Sequence, residues 1–376
     1  MPFRRTMSML VLLGAMLAAA GTRAAPPVAR LRLPPGFHVS VYTDQVPSAR
    51  EMAIGARGTL FVGSMTAGAV YAVTDDGPGR GRRVRVVARG LTMPVGVAFR
   101  DGDLYISDVR DIVVLRGIED RLDHPPAPQV AVPDLPWRVG DHGWKFIAFG
   151  PDSKLYVPIG APCNICDVGH RFGRLMRMNP DGTGREDVAY GLRNSVGFTW
   201  QPGQPGQPGA GTLWFTDNGR DLMGDDVPSD ELNRVDHAGQ SFGYPYCHQG
   251  DVPDPVFGRG HPCSDFTPPV LKLGAHVAAL GLRFYTGSQF PAAWRGALLI
   301  AEHGSWNRSR LAGYRVMAVR FGPDGGIASY VPLIDGFQQD ETPWGRPADV
   351  QPLPDGSVLV SDDLAGAIYR VTYGRD

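Results

Sequence analysis

The sequence predicts an all-β protein built as a six-bladed β-propeller. Three observations carry this: a turn-and-strand unit that recurs six times, short strands alternating with period two, and an abundance of turn formers. The copies are Gly58-Thr-Leu-Phe-Val-Gly-Ser, Gly102-Asp-Leu-Tyr-Ile-Ser-Asp, Ser153-Lys-Leu-Tyr-Val-Pro-Ile, Gly211-Thr-Leu-Trp-Phe-Thr-Asp, Gly296-Ala-Leu-Leu-Ile-Ala-Glu and Gly356-Ser-Val-Leu-Val-Ser-Asp. Their first residues lie 44, 51, 58, 85 and 60 positions apart. Propeller blades run roughly 40–50 residues, and insertions fall in loops. Glycine and proline together make 83 of 376 residues, which disfavours a helical protein.

Each copy has neighbours that complete a blade. A further strand follows it: Val70-Tyr-Ala-Val, Ile112-Val-Val-Leu, Leu175-Met-Arg-Met, Leu232-Asn-Arg-Val, Tyr314-Arg-Val-Met and Ile368-Tyr-Arg-Val. Another precedes it, as in Val95-Gly-Val-Ala-Phe, Phe146-Ile-Ala-Phe and Val196-Gly-Phe-Thr-Trp. Such short alternating strands, punctuated by Pro-Asp-Gly turns, are hairpin signals. One sheet unit cannot hide both its apolar faces alone; six packed around an axis can. The opening strand around Phe37-His-Val-Ser-Val-Tyr is expected to complete the last blade beside Ile368-Tyr-Arg-Val. A two-sheet sandwich is the rival fold, but it needs neither this strand count nor this repetition. The Gln-Pro-Gly run at 201–209 reads as a solvated hairpin insert.

Residues 1–24 have the order of a secretory signal peptide. Arg4 and Arg5 precede an apolar run from Met7 to Ala20, and small residues follow up to an expected cleavage after Ala24. The apolar run is short for a membrane span, so an exported protein, periplasmic or secreted, is expected, with residues 25–376 as one propeller domain. A retained N-terminal anchor is the alternative. Without that segment the balance is 34 basic against 38 acidic residues, a charge of −4, which argues against a nucleic-acid partner. The four cysteines, Cys163, Cys166, Cys247 and Cys263, read as two disulfides in an exported chain. Proximity favours Cys163–Cys166 and Cys247–Cys263. A redox-active Cys-x-x-Cys is the alternative; a zinc site lacks a second ligand pair.

In a propeller the innermost strand of each blade begins beside the central channel. The residues just ahead of those strands are Arg50, Pro94, His142, Arg193 with Asn194, His276 and Arg346. Converging cations repel one another, so the site expects an anionic occupant. Pairing with acids such as Glu51, Asp141 or Asp349 is the competing explanation.

Several ordered motifs then resemble one family. Asp141-His142 followed by Phe149-Gly-Pro-Asp-Ser-Lys-Leu-Tyr, Gly191-Leu-Arg-Asn-Ser-Val-Gly, Asp230-Glu-Leu-Asn, Gly239-Gln-Ser-Phe-Gly-Tyr-Pro and Arg346-Pro-Ala-Asp-Val-Gln-Pro-Leu-Pro-Asp-Gly are similar to segments of soluble glucose dehydrogenases dependent on pyrroloquinoline quinone (PQQ). Cys163-Asn-Ile-Cys166, Asp217-Asn-Gly-Arg-Asp and His303-Gly-Ser-Trp-Asn-Arg308 resemble the sorbosone dehydrogenase branch more closely. The likeness spans nearly all of the chain after residue 24.

The resemblance implies a quinoprotein that oxidises a sugar and hands electrons to an acceptor. His142 would be the general base, an imidazole whose ordinary pKa lies near working pH. Arg193 would stabilise negative charge on the quinone oxygen. Asn194, Arg308 and Arg346 would hold the cofactor, guanidinium forks suiting its carboxylates. Ca²⁺ would sit on backbone oxygens near Gly219 and Arg220, with Asp225 and Asp226 as further ligands or as plain turn caps. Two positions depart from the pattern. Ala161 stands where an aspartate orients the base, leaving Asn164 and Asp167 as candidate substitutes. Ala348 replaces the second arginine of the last-blade motif.

The remaining histidines read more plainly. His38, His124, His237 and His261 are expected at the surface, His170 and His248 are explained by the nearby cysteines, and His303 is undecided between channel and structure. Trp144, Trp214 and Trp306 are expected to pack blades or channel. The rival functions are a calcium-dependent sugar lactonase, whose metal would want inward carboxylates, and a non-catalytic propeller that binds protein or glycan.

Overall fold

The computed structural model describes residues 25–77, 81–138, 140, 142–203 and 211–374; the leader segment, Asp141 and most of the Gln-Pro-Gly insert lie outside them. Six sheets, antiparallel except where Ala189 and Tyr190 of the third pair parallel with Gln240 and Ser241, form the blades of a six-bladed β-propeller. The inner strands are Ala49–Ile54, Val97–Arg100, Ala148–Phe149, Ser195–Trp200, Ala279–Phe284 and Pro347–Pro352. The recurring sequence unit supplies the second strand of each blade, such as Leu60–Ser64 and Val358–Asp362.

The ring closes as the sequence predicts. Phe37–Thr43 pairs antiparallel with Ala367–Tyr373, Phe37 opposite Tyr373 and Val41 opposite Tyr369, so the first strand becomes the outer strand of the sixth blade. Phe37 anchors it edge-on against Phe290, Trp294 and Tyr373, with ring centroids 4.8 to 5.0 Å apart.

Blade faces pack on each other through the alternating apolar residues, which bury both sheet surfaces. Leu155, Val157 and Ile159 of the third blade meet Tyr105, Ile112 and Val114 of the second. The inner strands also need partners for backbone groups that turn toward the axis, because buried N–H groups are rarely left unpaired. Buried carboxylates supply them. Glu51 Oε2 accepts from Val97 N and Ile147 N, each at 2.9 Å, stitching three blades together. Asp349 Oδ2 accepts from Met52 N at 2.9 Å, and Arg283 offsets both acids at 3.5 and 3.8 Å. Glu51 and Asp349 thus balance Arg283 and inner-strand amides, not the histidines and arginines of the site.

Both disulfides join the cysteines that proximity favours, Cys163–Cys166 and Cys247–Cys263. Among the described residues no helix is long and apolar enough to cross a membrane.

Candidate active site

The second strand of four blades ends in an acid: Asp108, Asp217, Glu302 and Asp362. Three of these carboxylates turn back to the backbone just ahead of the neighbouring inner strand. Asp217 accepts from Arg193 N at 3.0 Å, Asn194 N at 2.8 Å and the Ser195 hydroxyl at 3.0 Å. Asp362 accepts from Arg346 N at 2.9 Å, and Asp108 from Thr92 N at 2.9 Å. The repeat therefore does more than build sheets. Its terminal acid fixes the backbone from which the candidate side chains project.

Those side chains meet in a cavity of about 360 Å³, within the usual range for small-ligand sites. Arg50, His142, Arg193, Asn194, Gly219, His276 and Arg346 line it together, as do Asp221, Asp230, His303 and Trp306. Pro94 does not take part. Arg220, Asp225, Asp226 and Arg308 lie outside the lining. Arg308 reaches Asp226, which is exposed, at 3.1 Å, and Asp225 accepts from Ser309 N at 3.1 Å. Arg220 is buried in an ion pair with Asp254, which also holds His248 at 2.9 Å. Arg308, expected to clamp a cofactor, is thus paired with Asp226, and Asp225 and Asp226, expected as metal ligands or as turn caps, are each bonded to the 308–309 segment.

His142 has a defined tautomer. Its Nδ1 lies 2.8 Å from the Ala161 carbonyl oxygen, so Nδ1 carries the proton and donates, leaving Nε2 as the acceptor. The orienting group is thus the main chain of the very residue that departs from the family pattern. Asn164 and Asp167 do not fill this role: Asn164 serves Arg193, and Asp167 accepts from Gly169 N at 3.0 Å. The close approach depends on Gly160, where a Cβ would fall 2.6 Å from His142 Cβ. Trp144 stands edge-on to the imidazole with ring centroids 5.5 Å apart. Burial, followed by the Arg193 charge, pushes His142 down to about 4, so it is neutral across ordinary pH.

Two of the three cavity arginines have acidic partners, though not the expected ones. Arg193 Nη2 bonds Asp221 at 2.7 Å, and Arg50 Nη2 bonds Asp363 at 2.6 Å. Asp363 also takes His303 Nε2 at 2.9 Å. Burial would raise Asp363, but His303 and Arg50 outweigh it and hold the acid below the usual carboxylate range. Burial pushes His303 down to about 4 against the pull of Asp363, with Arg50 adding to the fall. Arg346 gives Nε to His303 O at 3.2 Å and Nη2 to Gly304 O at 2.8 Å. His276 donates from Nε2 to Gly224 O at 2.8 Å. Sequence reasoning missed Asp363 as a partner and met Asp221 only as the last residue of the Asp217-Asn-Gly-Arg-Asp motif. The doubled acid Asp362-Asp363 at a strand end was a usable signal.

The tryptophans part company. Trp214 is core, Trp144 lines the cavity, and Trp306 is 73% exposed at its edge, so it is not packing.

The donor set fits an anionic ligand. Three guanidinium groups converge, and buried Arg50 Nε has no hydrogen-bond partner. A buried unpaired donor costs free energy unless a ligand satisfies it. For calcium the fit is confined to main-chain oxygen. Gly219 lines the cavity, but the described residues contain no cluster of three acidic, histidine or cysteine side chains suited to a metal.

A six-bladed propeller with a basic, histidine-bearing cavity where its inner strands begin is the class these features define. The chain belongs to the glucose/sorbosone dehydrogenase family, whose model, Glucose / Sorbosone dehydrogenase, matches residues 133–331. An uncharacterized protein of Borreliella burgdorferi is 31% identical over 361 residues, covering 92% of this chain and 91% of its own. Among solved structures, a Trichoderma reesei carbohydrate-active enzyme of family AA12 aligns with TM-score 0.77 and 20% identity over 92% of this chain and 98% of that one. The holo PQQ domain of a Coprinopsis cinerea pyranose dehydrogenase gives TM-score 0.74 at 18% identity, over 91% and 97%. The PQQ-bound aldose sugar dehydrogenase of Streptomyces coelicolor gives 0.64 at 19%, over 91% and 99%. At these identities the structural likeness speaks to the fold.

Proposed function

We propose that the chain is an exported, PQQ-dependent oxidoreductase that oxidises an aldose, a sorbosone-like aldehyde or a related sugar and passes electrons to a separate acceptor. The observation that carries this reading is the convergence of Arg50, Arg193 and Arg346 with a tautomer-fixed His142 in one cavity. Family membership and the quinone-bearing fold neighbours add to it.

Arg50 and Arg346 would bind the carboxylates of PQQ, with Arg50 in place of the arginine lost at Ala348. Asn194 presents a carboxamide to the cavity for a further hydrogen bond. His142 Nε2 would take the proton of the substrate hydroxyl as hydride departs from the same carbon, while Nδ1 stays bound to Ala161 O. An anionic occupant offsets the Arg193 charge and raises the proton affinity of that imidazole toward working pH. Arg193 would steady the negative charge that develops on the acceptor oxygen. When bound, PQQ supplies the two-electron acceptor, and calcium on the Gly219 and Arg220 main-chain oxygens would polarise its carbonyl.

The test is a dye-linked assay of the purified protein with PQQ, Ca²⁺ and a panel of aldoses and sugar aldehydes. We expect quinone-dependent dye reduction, and a loss in kcat of ~10²–10⁴ in His142→Ala. Full activity in that variant, or no binding of PQQ, would sink the reading. Acid release from a sugar lactone without quinone would point to a lactonase instead.

A further inference from the structure

We propose that Asn164, presented by the Cys163–Cys166 disulfide turn, is a positioning residue for Arg193, and that Tyr244 braces the turn in that posture. The inference rests on the role given to Arg193 above only for its catalytic consequence.

The argument begins with an account of one guanidinium. Arginine has five N–H donors in a rigid plane. Here Nε donates to Asn164 O at 2.9 Å, and Nη2 donates to Asn164 Oδ1 at 2.9 Å and to Asp221 Oδ2 at 2.7 Å. Nη1 gives one hydrogen to Asn218 O at 3.2 Å. Four donors are committed, two of them to Asn164. One Nη1 hydrogen remains, on a charged group that lines the cavity.

Asn164 also sets the counter-ion. Its Nδ2 donates to Asp221 O at 3.1 Å while its Oδ1 accepts from Asp221 N at 2.8 Å. This two-way pairing places the Asp221 carboxylate on Nη2, and Asn307 Nδ2 steadies the other carboxylate oxygen at 2.7 Å. One asparagine thus fixes the plane of the arginine and the position of its acid.

The stretch carrying Asn164 has no strand to hold it. Residues 162–166 form a run of bends between Leu155–Ile159 and Arg174–Met178. A free loop would lose its grip at the cost of ordering entropy each time it closed on Arg193. The disulfide removes that freedom within a four-residue turn. Tyr244 completes the brace: its hydroxyl accepts from Cys166 N at 3.1 Å and lies 3.3 Å from Asn164 O, to which it donates. Burial pushes that phenol up to about 12, so it keeps the proton it donates. In this reading the Cys-x-x-Cys is structural, and what it holds in place is the Asn164 contact to Arg193.

Two variants test this: Asn164→Ala, which keeps the disulfide, and the pair Cys163→Ser with Cys166→Ser, which removes it. The first readout uses cofactor-free protein. Arg193 and Asp221 are the charged groups acting on His142. Losing the Asn164 carboxamide lets Nη2 and the Asp221 backbone shift; the Arg193 effect on His142 is larger than the opposing one of Asp221, so the imidazole, followed by NMR, titrates at higher pH than in the parent. The second readout is turnover, where a misplaced charge of this kind costs on the order of a hundredfold in kcat with little change in sugar KM. An unchanged His142 titration in folded Asn164→Ala overturns the proposal, whatever happens to turnover. A raised titration with unchanged kcat upholds the positioning and overturns the catalytic role assigned to Arg193.

Discussion

Replacing Arg50 by methionine removes one guanidinium from the cavity and keeps an unbranched stem. In the folded protein Arg50 Nη2 is spent on Asp363 at 2.6 Å, whereas the buried Nε has no partner. Removing the residue does not strand a carboxylate, because Asp363 keeps its bond from His303 at 2.9 Å. The cost should therefore fall on the ligand more than on the fold. A hydrogen bond to a charged group contributes about 1.5–3 kcal/mol, and each 1.4 kcal/mol is tenfold in affinity, so the dissociation constant for PQQ should rise about ten- to a hundredfold. The assay is calorimetric titration of PQQ into cofactor-free protein with Ca²⁺, with a thermal melt run beside it. Arg308→Met is the paired control. Arg308 serves Asp226 at the surface, a kind of contact worth little, and its loss should change affinity by less than about twofold. A folded Arg50→Met protein with parental affinity, or a larger loss in Arg308→Met, would refute the reasoning.

Three further outcomes are expected. His142 is neutral when folded down to about 4 but takes a proton below about 6.5 when unfolded, so its contribution to stability is lost as pH falls through that window. The loss is at most about 3 kcal/mol, and urea midpoints at pH 7 and 4.5 should converge in His142→Ala relative to the parent; parallel midpoints would count against it. The Cys247–Cys263 bond closes a loop of sequence separation 16, and replacing both cysteines by serine should cost about 3 kcal/mol in urea unfolding. Phe37→Ala should cost about 3–5 kcal/mol by unpinning the strand that closes the ring, which limited proteolysis of the first 25 described residues would reveal as early cleavage.

The blades were legible because their signal is local. Period-two alternation and glycine turns repeat within each unit, so strand identity follows from neighbours in sequence. Even the closing pair, Phe37–Thr43 on Ala367–Tyr373, could be matched by its unfilled blade. The cavity residues Arg50, His142, Arg193, Asn194, His276 and Arg346 were equally readable, since the start of an inner strand is a place the repeat itself defines, whereas Gly219 was reached only through the family resemblance.

What the sequence could not give is which acid meets which base. Arg193 lies 28 residues from Asp221, at the same end of one strand pair of the fourth blade, whereas Arg50 meets Asp363 only because the ring brings the first blade to the last. Glu51 and Asp349, nearer in sequence to the arginines, are drawn instead to inner-strand amides that would otherwise be buried unpaired. The same holds at Ala161. A side-chain alphabet reads alanine as the loss of an orienting group, but a main-chain carbonyl at 2.8 Å does that work, and backbone oxygens leave no mark in sequence. Six-fold repetition, read from the chain alone, determined where the candidate side chains would gather; the packing of one blade on the next decided which of their donors are satisfied there and which are left unpaired.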